Sequence, residues 1–120
     1  MMSTMNASQR LVLAEIGHPK HLDKLVKDKD EDVRRMVAIK GGDKHRDKLV
    51  KDKDEYVRWA VAINGNDSHK DKLLEDPNWQ VREIIAKTGN KNHATQLLKD
   101  KDPNVSHYAR LRLNELKAKE

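Results

Sequence analysis

The chain has 120 residues, 36% hydrophobic and 38% charged, with a formal net charge of +5 and no cysteine. Without cysteine it cannot form a disulfide, a thiol nucleophile or an iron–sulfur cluster. Mean hydropathy is −0.97, and the apolar run at residues 11–14 is far too short to span a bilayer or to resemble a signal peptide, so the chain reads as soluble and cytoplasmic. So polar a composition suits a disordered chain unless its apolar residues recur in register. Here they do.

Four histidines, His21, His45, His69 and His93, stand 24 residues apart, and each opens a near copy of one segment. A fixed period this short means one small unit stacked on itself, each unit covered by its neighbours on two sides. Residues 1–20 hold a half-length copy in which QRLVLAEIGHPK aligns with VRRMVAIKGGDK. Its helix is expected over residues 8–16, ending at Gly17.

The first full unit, residues 21–44, carries Leu22, Leu25 and Val26 at helical spacing in a segment of about two turns. KDKDED then breaks the pattern. Val33, Met36 and Val37 open a second, longer helical stripe, which Asp30 or Asp32 can cap. Gly17, Gly41, Gly65 and Gly89 occupy one column after that stripe, where a left-handed residue would end the helix. Residues 45–68 and 69–92 repeat the plan. The fourth copy, residues 93–120, has Leu113 in the glycine column, and its stripe continues through Leu116. A longer terminal helix is therefore predicted over residues 103–117, with Pro103 in its first turn. Both termini read as caps, and the chain as the whole array in one domain.

The pattern L-x-x-L-x-x-D-x-D-x-x-V-R-x-x-V-A, from Leu22 to Ala38, resembles the leucine-rich repeat variant family over residues 9–113. The resemblance implies an all-α, right-handed solenoid in which α-helices alternate with short 3₁₀-like helices, without strands. Some relatives carry an iron–sulfur cluster; a chain without cysteine cannot. Ordinary leucine-rich repeats need a strand signature absent here, and other helical repeats run to about 33 residues or more. The D-x-D-x-x-V-R stretch is also similar to HEAT repeats, where an aspartate and an arginine six residues on form a ladder between units. That implies Asp28 with Arg34, Asp52 with Arg58, and Asp76 with Arg82. Asp100 has Ser106 in place of the arginine, so the ladder is expected to end there.

The remaining polar columns favour structure over chemistry. Stacked helices lie about 8–10 Å apart, too far for histidines of one column to share a zinc ion bound at about 2 Å. Each His ring is therefore expected to bond backbone between units, with no metal and no cofactor. Arg34, Arg58 and Arg82 could hold phosphate, but their fixed spacing from aspartates favours bidentate pairing. Carboxylate pairs such as Asp28/Asp30 recur from unit to unit, as turn and capping residues do and an active site does not. No nucleophile-elbow, phosphate-loop, zincin or calcium-loop pattern is present, so no enzyme is predicted.

What varies between copies is a ridge on the second helices. The columns Glu31/Glu55/Trp79/Pro103 and Arg35/Trp59/Glu83/His107 lie four residues apart, and the neighbouring column Ile39/Ile63/Lys87/Leu111 extends the ridge by another turn. Aromatics and arginine on a charged surface favour a binding hot spot, so Arg35, Tyr56, Trp59 and Trp79 are the expected contacts for a protein partner. The alternative for the tryptophans is to cover seams between units. The alternative partner is nucleic acid, through lysines and the terminal Arg110 and Arg112. The charge excess is spread evenly along the chain, whereas nucleic-acid binders gather it on one face.

Overall fold

The acidic turns dictate where the longer helices begin. In the computed structural model, which describes residues 2–120, Asp30, Asp54, Asn78 and Asp102 each accept the backbone N–H groups two and three residues on. Two of the donors that an α-helix leaves open at its N-terminus are thereby satisfied. Asp30, not Asp32, is the cap in the first unit.

The helices are α1 (Ala7–Ile16), α2 (Pro19–Leu25), α3 (Glu31–Lys40), α4 (Asp43–Leu49), α5 (Glu55–Asn64), α6 (Asp67–Leu73), α7 (Trp79–Thr88), α8 (Lys91–Leu97) and α9 (Pro103–Ala118). The described residues are all-α and contain no strand. The short helices α2, α4, α6 and α8 are α-helical, not 3₁₀-like; among the described residues 3₁₀ geometry is confined to Met2–Thr4. Two of their N-termini share one arrangement. In α6 and α8 the Asn66 and Asn90 side chains accept the His69 and His93 N–H groups, and each ring Nδ1 accepts the asparagine N–H in return. Histidine thus closes a reciprocal box usually closed by Glu or Gln, and two open N–H groups are satisfied at each of these helix starts.

The apolar stripes meet in one seam. Val33 and Val37 of α3, Val57 and Val61 of α5, Val81 and Ile85 of α7, and Val105 and Ala109 of α9 are fully buried. Leu25, Leu49, Leu73 and Leu97 from the short helices cover them, while Met36 is only half-buried and Ile39 faces solvent. The longer helices α1, α3, α5, α7 and α9 pack each against the next, and every short helix packs on the long helices before and after it. The molecule measures 51 × 27 × 18 Å, a slender body in which few residues need be apolar.

The glycine column works differently from the expectation. Only Gly17 is left-handed, with φ of 79°. Gly41, Gly65 and Gly89 are extended, with φ between −73° and −81°, a conformation open to any residue. Close approach demands glycine instead. A Cβ on Gly65 would lie 2.6 Å from the Val61 carbonyl oxygen and 2.7 Å from His69 Nδ1. The histidine column and the glycine column are therefore one packing unit.

Candidate functional site

The arginine ladder between units is present, but each arginine takes a different carboxylate from the expected one. Arg34 Nε donates to Asp52 Oδ2 at 2.8 Å, Arg58 to Asp76 at 2.7 Å and Arg82 to Asp100 at 2.7 Å. The aspartate six residues back offers its main-chain carbonyl instead: Arg34 Nη1 donates to Asp28 O, Arg58 to Asp52 O and Arg82 to Asp76 O. This corrects the expected Asp28–Arg34, Asp52–Arg58 and Asp76–Arg82 carboxylate pairs. The physical reason is stagger: an arginine leaving the first turn of a long helix faces the following turn, while the aspartate beside its own helix faces the preceding unit. Asp100 is consequently paired, and the ladder gains an unforeseen first rung, Arg10 to Asp28 at 2.7 Å.

The pairs are largely buried, and the Asp52 and Asp76 carboxylates raise the pKa of Arg34 and Arg58 above the ordinary guanidinium value through their hydrogen bonds. Each carboxylate also accepts the N–H of the capping residue two positions on. With both fork nitrogens and the carbonyl contact occupied, Arg34, Arg58 and Arg82 are committed to the stack, not presented as phosphate ligands.

The histidines form a second set of inter-unit contacts. His45, His69 and His93 place Nε2 at 2.7, 2.7 and 2.6 Å from Asp23, Asp47 and Asp71 of the preceding unit. Because Nδ1 accepts a backbone N–H, the ring proton sits on Nε2 and is donated to the carboxylate. By the 24-residue bounds both partners belong to the preceding unit: the expected backbone contact, from the N–H of Gly42, Asn66 or Asn90, and an aspartate side chain besides. Asp23 is held below the usual carboxylate range by its hydrogen bonds with His45 and Lys44. Among the described residues no group of three His, Cys, Asp or Glu side chains is placed to hold a metal ion.

Further cations close the C-termini of the longer helices. Arg46 donates to the Ala38 and Ile39 carbonyls, Lys70 to Gly65 O, and Arg112 to Gly89 O and Thr88 O. Carbonyls left open at a helix end carry partial negative charge, so a cation there is favourable. Ala94 stands where Arg46 and Lys70 stand in earlier units, and Arg112 from α9 takes over. Burial pushes the Lys70 ammonium pKa down.

The ridge opens into a shallow groove of about 430 Å³ across α3, α5 and α7. Tyr56, Trp59 and Ile84 supply its apolar lining; Arg35, Glu55, Gln80, Glu83 and Lys87 supply much of the polar lining. Trp59 is half-buried against the core, so it both covers a seam and shows a face to the groove, whereas Tyr56 is 50% exposed. Trp79, 39% exposed at the start of α7, does not line the groove. Of the four predicted contacts the fold brings together Arg35, Tyr56 and Trp59. Gln80, Glu83, Ile84 and Lys87 were not singled out as contacts, although Glu83 and Lys87 lie in columns that the sequence marks as ridge.

No helix among the described residues is long and apolar enough to cross a membrane. Compared with known proteins, the sequence matches no family and no individual protein.

Proposed function

We propose that the chain is a non-enzymatic protein-interaction module: a single right-handed α-solenoid of 24-residue units, of leucine-rich repeat variant type, that binds a protein partner along its long-helix ridge. The family reading rests on the motif in its four tandem copies. The observation that carries the function is the groove at Trp59. Two of the chain's four Trp and Tyr residues line it, on a surface otherwise dominated by charge. Large aromatics that present area at low entropic cost are the usual anchors of an interface. The stack beneath supplies rigidity, since the ladder ties successive turns and the histidine contacts tie successive short helices.

The test is capture from lysate on immobilised protein, with nuclease present, comparing wild type with Tyr56→Ala. Tyr56 is exposed enough to be removed without opening the core. A protein retained by wild type and lost with the variant supports the reading. Retention that vanishes with nuclease would favour the nucleic-acid alternative.

A further inference from the structure

We infer that the groove takes a basic peptide segment of a partner protein, a Lys or Arg side chain lying over the Trp59 and Tyr56 rings. The inference rests on the interaction-module reading and names the chemistry of its partner.

The groove is longer than its deepest part. A second depression, lined by Glu31, Asp32, Asp54, Arg35 and Tyr56, shares Arg35 and Tyr56 with the first. Together they form one trough that crosses α3, α5 and α7. Helices packed about 8–10 Å apart make such a trough about 20 Å long, room for about six residues of extended chain.

Its charge is opposite to that of the whole molecule. The trough is lined by five carboxylates, those of Glu31, Asp32, Asp54, Glu55 and Glu83, against two cations. Elsewhere the chain carries the excess that makes it +5 overall. Both cations are occupied: Arg35 pairs with Asp32 at 3.0 Å, and Lys87 pairs with Glu83 at 3.4 Å. Among the described residues Glu31 and Glu55 stand in no salt bridge; each acts only through space on the ladder arginine three residues on, Arg34 or Arg58, which is already bonded to an aspartate. Carboxylates without a bonded cation therefore flank an aromatic surface, the arrangement that receives a cation by charge and by ring face together. The molecule already uses that chemistry internally, with Lys87 Nζ 4.3 Å from the centre of the Tyr108 ring. An anionic partner meets the reverse: unpaired negative charge on a shallow apolar surface.

The experiment titrates ¹⁵N-labelled full-length protein with acetyl-(Arg-Ser)3-amide, and in parallel with the Gln-Ser and Glu-Ser versions. The Arg peptide is expected to move the Trp59 indole N–H and the Tyr56 and Gln80 amides. Removing both unpaired charges, in Glu31→Gln/Glu55→Gln, should weaken it about fivefold. Glu75→Gln, outside the trough, should leave it unchanged. Equal binding of the Arg and Gln peptides, shifts scattered away from α5 and α7, or indifference to the double variant would overturn the inference. The two levels separate cleanly. A protein captured through Tyr56 that the Arg peptide fails to displace removes the basic ligand and leaves the module standing. Capture indifferent to Tyr56 removes both.

Discussion

Arg58 reaches forward to Asp76 and touches Asp52 only through its main chain. Nε lies 2.7 Å from Asp76 Oδ2, while Nη1 donates to the Asp52 carbonyl at 2.8 Å. One guanidinium therefore ties its own turn to the next unit's turn. Repeated from Arg10 to Arg82, the arrangement makes a relay in which each aspartate is held through its carboxylate by one arginine. Asp28, Asp52 and Asp76 are also held through their carbonyls by another. Stability of a stacked array depends on such nearest-neighbour terms.

Arg58→Ala strands the buried Asp76 carboxylate with only the Asn78 N–H, so it should cost about 3 kcal/mol in urea denaturation. Arg35→Ala removes only a more exposed pair within one helix and should cost under about 0.5 kcal/mol. Similar small losses for both would mean that the ladder contributes no net stability.

The glycines divide by contact, not by dihedral angle. Gly65→Ala must push the Val61 carbonyl and the His69 ring apart, which should destabilise by about 1–3 kcal/mol. Gly42 is extended and has nothing within 4 Å of a built Cβ, so Gly42→Ala should be neutral or gain about 0.4–1 kcal/mol from a stiffer unfolded chain. Paired thermal melts decide between them: if Gly65→Ala melts with the wild type, close packing does not explain the column.

These cases mark what a sequence of this kind discloses. Apolar spacing and capping residues act within a turn or two, so the helices and the long terminal helix could be read locally, and the first unit's N-cap narrowed to Asp30 or Asp32. Periodicity assigns Arg34 to a column but not to a neighbour, because the stagger between units is set by packing; hence the carboxylate partner was placed in the wrong unit. The same limit applies to Gly65, whose need for glycine lies in a ring four residues on, and to Trp79. Trp79 shares a column with Glu55, which lines the groove, yet does not line it itself, because α7 turns Gln80, Glu83, Ile84 and Lys87 to the groove instead.

Acid should reveal the histidine contacts through Asp23. Hydrogen bonds from His45 and Lys44 lower its pKa in the folded state below the ordinary 3.8. A depressed carboxylate contributes stability that is fully present above the unfolded value and is lost as pH falls through the folded one. Asp23→Asn keeps an acceptor for His45 Nε2 but loses the charge. It should therefore be less stable than wild type at neutral pH, with the gap closing as pH falls below 3.8. Urea midpoints at a series of pH values give the readout, and a gap that widens toward acid would contradict the assignment.

Arginine use also bears on nucleic acid. Of the chain's eight arginines, Arg10, Arg34, Arg58 and Arg82 are in the ladder, and Arg46 and Arg112 close helix ends. Arg35 is paired with Asp32, which leaves Arg110 as the exposed arginine without an ion pair. The lysines are dispersed among acidic neighbours, and the groove is net acidic. Phosphate binding draws on clustered cations, and each one engaged adds about 0.7–0.9 to the log–log salt slope. Fluorescence anisotropy with a labelled 20-nucleotide strand should therefore give a dissociation constant no tighter than about 10⁻⁴ M near physiological salt. Arg110→Ala should change it little. Micromolar binding with a slope equivalent to several phosphates would mean that the dispersed lysines act together, and the nucleic-acid reading would displace the protein partner.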